Sequence, residues 1–565
     1  MEPGAGGAAP WRGAIEDEVL ARVAEQQQQQ LRLTFPGMPK VRRSRSISPP
    51  PPGQDVWRTV GVQPSSILQG QRPPETAVRQ QPAKEVRELL DDPSFAARRW
   101  TSFTLCGLGS FCAYLPAASA LYINAIDQSG GTENPCTTLS CEFAFGGVQR
   151  EMIEALFSAG NVLGCVLGGW VADRCGRRPA LWGGVLCLAA TGALSAFEPA
   201  ASGARLPFFA AMHALSGMSA GAVTVSALVL AIEWLPLRHH AVLVCIFANF
   251  SVLAAPTVAA LHELVAGARP WRILLSACAL APALLAPVLF LLLRESPRYL
   301  LAVRGPEAAV AALIEARRPS AASAPAPVLR DPHAYCGGRT SAGGGIEGLW
   351  GQPQPGWWVV RYASGVALMF YGAGLPYFGI RWLGGTGGTL AVALSVGATA
   401  VVGHLFAAFM VSRSVLGRKL GSLGVFQLMG LGCGAAIFFD TIDRSTGGGG
   451  AASLGRRSLT LIVIGAAQAT RAAITVWGSE LLPTTVRGRC IGIAFAALGC
   501  SAVSAPWANR LASVLDFEEP QLLLGAILIL ASVAALFFLP ETYSLPSGEV
   551  LYQLSSAGSQ ALMHD

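Results

Sequence analysis

Arg471, in Gly465–Trp477, and His404, in Val401–Met410, are titratable residues inside stretches otherwise apolar enough to cross a membrane. A guanidinium held at the centre of a hydrocarbon layer costs about 2.5–3.5 kcal/mol unless it is paired or hydrated, so Arg471 is a functional candidate by default. It is expected either to meet an anionic solute in a cavity or to hold another helix. His404 has the side chain that changes charge near neutral pH, which suits a proton-linked step, or it is a hydrogen-bonded helix histidine. Phe370, Tyr371, Tyr377 and Phe378 crowd a third apolar stretch. Their ring faces are substrate-binding candidates for an organic ion, and plain helix packing is the alternative. Arg361 stands about a turn inside the same stretch and is expected to snorkel to its edge.

A second chemistry is read at the ends of the apolar stretches. Gly168-Gly169 precede Asp173-Arg174-Cys175-Gly176-Arg177-Arg178. The glycines permit close helix approach, and a carboxylate beside several guanidiniums can form ion pairs and helix-end contacts. The latch expected from this pattern comprises Gly169, Asp173, Arg174, Gly176, Arg177 and Arg178, joined by Glu233 with Arg238 and by Glu480 with Arg487. Such a latch, by closing and opening, would bias one conformation against another. Arginines that only fix topology are the alternative.

The elements that must position these residues follow from composition. Of 565 residues, 52% are hydrophobic and 13% are charged, with mean hydropathy +0.45. A water-covered surface needs roughly twice that charge, which excludes a soluble globular enzyme. Apolar runs of membrane-spanning length occur at 101–123, 150–171, 180–198, 207–232, 241–262, 271–293, 357–379, 388–411, 420–439, 458–480, 488–510 and 521–539. The expectation is an all-α membrane protein of twelve transmembrane helices. Lys and Arg concentrate in the loops that alternate on one side with the basic N-terminal segment, so both termini are expected to be cytoplasmic. The divisions read as 1–97, a disordered cytoplasmic segment with Gln26–Gln30 and Pro49–Pro52 runs; 98–293, a first six-helix half; 294–356, a cytoplasmic linker loop; 357–542, a second half; and 543–565, a short tail. No apolar core follows Met1, so the first span would direct insertion.

Other classes find little support. No Gly-rich phosphate loop with Lys-Ser/Thr is present, no metal-ligand spacing emerges, and no cofactor is implied, so the protein is not expected to be an enzyme or to use ATP. The arginines fall between apolar stretches, an arrangement for membrane orientation and not for nucleic acid. Cys136 and Cys141 share a loop expected outside the cytosol, where a disulfide persists. Ser48, in Arg45-Ser46-Ile47-Ser48-Pro49, is a possible phosphosite for a phosphoserine-reading adaptor.

An internal repeat gives the fold. The Gly176-Arg177 end is echoed by Leu416-Gly417-Arg418-Lys419, Glu233-Trp234-Leu235-Pro236 by Glu480-Leu481-Leu482-Pro483, and Arg294-Glu295-Ser296-Pro297 by Pro540-Glu541-Thr542. Each pair lies about 245 residues apart, as two homologous six-span halves require. Gly169-x-x-x-Asp173-Arg174-x-Gly176-Arg177-Arg178 resembles the loop signature of the major facilitator superfamily. The Glu295-Ser296-Pro297-Arg298, Glu480-Leu481-Leu482-Pro483, Arg487-Gly488-Arg489 and Pro540-Glu541-Thr542 motifs resemble solute carrier family 22, in its divergent orphan branch. The resemblance implies two six-helix bundles rocking around a central cavity. It implies a secondary transporter of organic ions or small polar organic solutes, working by alternating access in the plasma membrane. Three departures favour the alternative, a transporter-like receptor or interaction protein that no longer transports. Ser414 and Val415 stand where the repeat would place Asp173 and Arg174, Ala497 stands in the family's charge-selecting Phe-x-Arg run, and the loop 124–149 is short.

Overall fold

In hydrocarbon a peptide group finds no water, so a spanning chain must satisfy its N–H and C=O groups within its own helix. The computed structural model describes residues 89–125, 147–197, 204–236, 239–265, 270–317, 360, 362–372, 374, 389–412, 450–482 and 484–514, and among these it contains helices and no strands. In the first half these are α1 (Ala96–Ala125), α2 (Gly147–Cys175), α3 (Arg177–Ser195), α4 (Arg205–Trp234), α5 (His240–Val252), α6 (Ala254–Leu264) and α7 (Pro270–Leu292). Then come α8 (Pro297–Arg304), α9 (Pro306–Ala316), helical residues 362–372, α10 (Thr389–Ser412), α11 (Gly450–Leu481) and α12 (Arg487–Val514). Five segments are long and apolar enough to cross a membrane: Met152–Cys175, Arg205–Trp234, His240–Leu264, Trp271–Leu292 and Ala393–Ser412.

The apolar run expected at 241–262 is two helices, α5 and α6, meeting at Leu253. Pro256 is the cause, because it has no N–H to offer the carbonyl four residues back. α11 begins eight residues before the expected 458, at Gly450. Two larger corrections concern the segments flanking the first half. Residues 89–97, assigned by composition to the disordered N-terminal segment, are folded: Leu90 and Phe95 are buried, Asp92 caps the short helix Pro93–Phe95, and Arg99 donates to the Leu90 carbonyl. The linker 294–356 opens with α8 and α9, whose Leu313 and Ala316 share a buried cluster with Leu90 and Phe95. Single apolar residues in a polar context carried that packing, and composition averages them away.

Within the first half, α2 packs most extensively on α4. The approach depends on glycine: a Cβ at Gly164 would stand 1.9 Å from the Met218 carbonyl oxygen. The two halves meet along α2 with α12, α4 with α12, α5 with α10 and α11, and α6 with α10. These seams place one polar cluster at the helix ends and another midway.

Candidate functional site

The first cluster forms where α2 ends and α12 begins. Asp173, in the last turn of α2, accepts from the backbone N–H groups of Gly488 at 3.0 Å and Arg489 at 2.9 Å. A carboxylate there satisfies N–H groups that a helix start leaves without intrahelical partners, and it meets the positive end of the helix dipole. The seam closes because both residues are small: a Cβ on Gly169 would lie 2.2 Å from the Gly488 carbonyl oxygen, and one on Gly488 would lie 2.6 Å from Asp173 Oδ1.

Arg177 is fully buried and ties three elements together. Its Nη2 lies 3.2 Å from Asp173 Oδ1 and 3.3 Å from Glu233 Oε1, and donates to the Thr484 carbonyl at 2.7 Å. Its Nη1 donates to the Ala172 carbonyl at 2.9 Å, and its guanidinium sits 4.2 Å from the Tyr299 ring centre. Arg487, from the second half, reaches the same Glu233 Oε1 at 3.4 Å and donates twice to the Leu482 carbonyl. Glu233 is therefore a buried carboxylate shared by one arginine of each half. With Asp173, Arg489 3.8 Å away and Glu295, the cluster sets three carboxylates against three guanidiniums, so no net charge is left in the low-dielectric interior.

Glu295 caps α3, accepting from Arg177 N at 3.1 Å and Arg178 N at 3.2 Å, and also from Ser296 N at 3.0 Å. Burial pushes its carboxyl up from the ordinary glutamate range, opposed by the backbone N–H bonds and by Arg177. Gly176 makes the turn between α2 and α3 at φ 113°, a conformation that suits glycine. Ser296 in turn caps α8 through Tyr299 N. Latch and linker helices are thus joined through neighbouring residues.

Not every residue expected in the latch is brought to it. Arg174 is exposed and lies over the Trp170 ring, and Arg178 donates to the Phe290 carbonyl at 2.5 Å. Glu480 lies 4.0 Å from His240 Nδ1. Arg238 lies outside the described residues, as do Arg361, Tyr377, Phe378, Cys136, Cys141, Ser48, Ser414 and Val415. Glu295, Tyr299 and the two N–H groups of α12 are the members that motif reading missed. The Arg487-Gly488-Arg489 run following Pro483 held the signal, because it marks a helix start whose N–H groups call for an anion.

The second cluster lines a small cavity between the halves, about 30 Å³ in volume. Arg471 is there, on the face of α11 that also carries Gln468 and Thr475. Its Nη1 donates to Gln468 Oε1 at 2.9 Å, its Nη2 is 3.5 Å from the Tyr114 hydroxyl on α1, and its buried Nε has no hydrogen-bond partner. Among the described residues no carboxylate pairs with it. His404 lines the same cavity from α10, and its Nδ1 meets Asn249 Oδ1 on α5 at 2.9 Å, one half bonded to the other. Ser110, Thr224, Ser251 and Thr475 add hydroxyls, while Leu228, Val244, Phe247 and Phe495 supply an apolar wall.

The expected aromatic set is only indirectly part of this cavity. Phe370 is buried behind Phe495, ring centres 5.0 Å apart, and the Tyr371 hydroxyl bonds Ser504 at 2.9 Å. Tyr114 on α1 and Asn249 on α5 are the partners that the first half offers to Arg471 and His404. Neither carries charge, so neither stands out in a hydropathy reading; Gln468 and Thr475 were accessible by their i−3 and i+4 spacing from Arg471.

Two helical halves meeting over a polar cavity, with a charged clasp at one end, form the architecture of a major facilitator membrane protein. The chain belongs to the family described as sugar (and other) transporter, whose sequence profile matches residues 118–550. Within it, the chain is similar to members of solute carrier family 22. It is 25% identical over 426 residues to solute carrier family 22 member 12 of Rattus norvegicus, covering 74% of this chain and 72% of that one. It is 25% identical over 426 residues to organic anion transporter 3 of Sus scrofa, covering 72% of each. The fold is shared with the proton:xylose symporter XylE bound to 6-bromo-6-deoxy-D-glucose, at TM-score 0.62 and 18% identity, covering 82% of this chain and 99% of that one. The family is one of transporters, not of enzymes.

Proposed function

We propose that the protein is a secondary transporter that moves an organic ion or small polar organic solute by alternating access, with the cavity around Arg471 as the solute site. The observation that carries this reading is a guanidinium inside the cavity with an unpartnered buried Nε and no carboxylate beside it among the described residues. A buried charge left so is costly, and an anionic solute would offset it. Organic anion transporter 3, to which the chain is similar, is named for such solutes.

The clasp of Asp173, Arg177, Glu233 and Arg487 serves in this reading as the gate at the cytoplasmic end, closed in the conformation described. Opening it requires Asp173 to leave the N-terminus of α12 and Glu233 to give up one of its two arginines. In the same reading both termini lie in the cytoplasm and the membrane is the plasma membrane. The test is uptake of a panel of labelled organic anions, cations and zwitterions into vesicles carrying inserted protein. Saturable uptake of an anion, reduced at least tenfold by Arg471→Ala, is the expected result. Uptake confined to cations, or unaffected by Arg471→Ala, would overturn the site assignment.

A further inference from the structure

The hydrogen bonds around His404 fix which of its nitrogens carries the proton. Asn249 donates its Nδ2 to the Ile246 carbonyl at 3.2 Å, so the oxygen facing His404 Nδ1 is an acceptor, and Nδ1 must be the protonated nitrogen. On α11, Gln468 gives its Oε1 to Arg471, whose guanidinium lines the same cavity as the imidazole. His404 Nε2 is therefore the basic atom, in the cavity that the Arg471 guanidinium also lines. Two polar pairs, Arg471 with Gln468 and His404 with Asn249, bring both halves to this cavity.

The charges around this ring are few. Facing it, α11 presents Arg471 and the uncharged Gln468, α5 presents Asn249, and α1 contributes Tyr114 to the same cavity. α6 meets α10 two turns away, at Pro256 against Gly397. Among the described cavity residues only Arg471 is charged at neutral pH, and it opposes a second positive charge on the imidazole. An anion bound to Arg471 removes that opposition.

We infer that His404 is a proton-coupling residue: an organic monoanion bound at Arg471 and a proton on His404 Nε2 are taken up together, as a neutral pair. This deepens the reading of Arg471 as the solute site and rests on it. Because binding linkage is reciprocal, the proton must strengthen anion binding as much as the anion strengthens proton uptake. With about one proton taken up per anion, apparent affinity falls about tenfold for each pH unit raised.

Calorimetric titration of the purified full-length protein with benzenesulfonate and with benzoate, in buffers of different ionisation enthalpy, counts the protons. Benzenesulfonate carries no proton of its own between pH 6 and pH 8, so any uptake belongs to the protein. Wild type is expected to take up about one proton per anion. His404→Gln, which keeps a side-chain donor for Asn249 but has no basic nitrogen in this range, is expected to bind anion with no proton uptake and a flat pH dependence. Wild-type binding without proton uptake would overturn the coupling and leave the Arg471 site standing. Proton uptake that persists in His404→Gln would overturn the assignment to this residue. If neither anion binds folded wild type, the anion site falls and the coupling falls with it.

Discussion

Glu233 is the residue on which the clasp depends, because its Oε1 is within 3.4 Å of a guanidinium from each half while it is wholly buried. Removing one partner of such a pair leaves an uncompensated buried charge and costs about 3–5 kcal/mol. Glu233→Gln is therefore expected to lower the thermal midpoint of the detergent-purified protein by several degrees, read by size-exclusion chromatography after heating. Arg174→Gln, at an exposed position over Trp170, should leave it within about 0.5 kcal/mol of wild type by the same measurement. At this scale much was legible in the sequence. The Gly-Asp-Arg-Gly-Arg-Arg motif identified Asp173 and Arg177, and the lone Arg471 stood out because charge in an apolar run is rare. The backbone partners were not legible: Asp173 works on two N–H groups, and Arg177 on carbonyls, none of which a residue type advertises.

The helices carry information that single residues do not. α2 contacts α4 on one side and α12 on the other, so it belongs to one half and closes against both. Alanine at Gly169 would bring a methyl group to 2.2 Å from the Gly488 carbonyl, and the seam would have to part. Cys490, buried two residues beyond Gly488, reports this: in a protein retaining only that cysteine, Gly169→Ala should raise its labelling rate by a thiol reagent several-fold, and unchanged labelling would show that the seam tolerates the methyl. The N-terminal segment makes a second case. Leu90 is completely buried in the cluster that also takes in Leu313 and Ala316 of α9, so Leu90→Ala should cost about 2–5 kcal/mol, far more than an alanine in a solvated tail would, checked by the same melting assay. Composition correctly marks the preface as polar. It misses the last turns before α1 because two apolar residues, Leu90 and Phe95, do the anchoring there.

For the whole molecule the duplicated motifs point to a bundle of two halves, and family membership agrees with that reading. What duplication hides is asymmetry. The clasp is built from side chains of the first half received by backbone, Arg487 and Arg489 of the second, and among the described residues the cavity cation comes from α11. A molecule that carries its own solute across must expose that cavity to each side in turn. A receptor that resembles a transporter need only bind. Counterflow separates the two: proteoliposomes preloaded with unlabelled benzenesulfonate are diluted into labelled benzenesulfonate, and internal label is followed with time. A transient rise of internal label above its final level, absent for Arg471→Ala, is the predicted result. Saturable binding of the label to correctly inserted protein, with none of it reaching the interior, would contradict transport through this cavity.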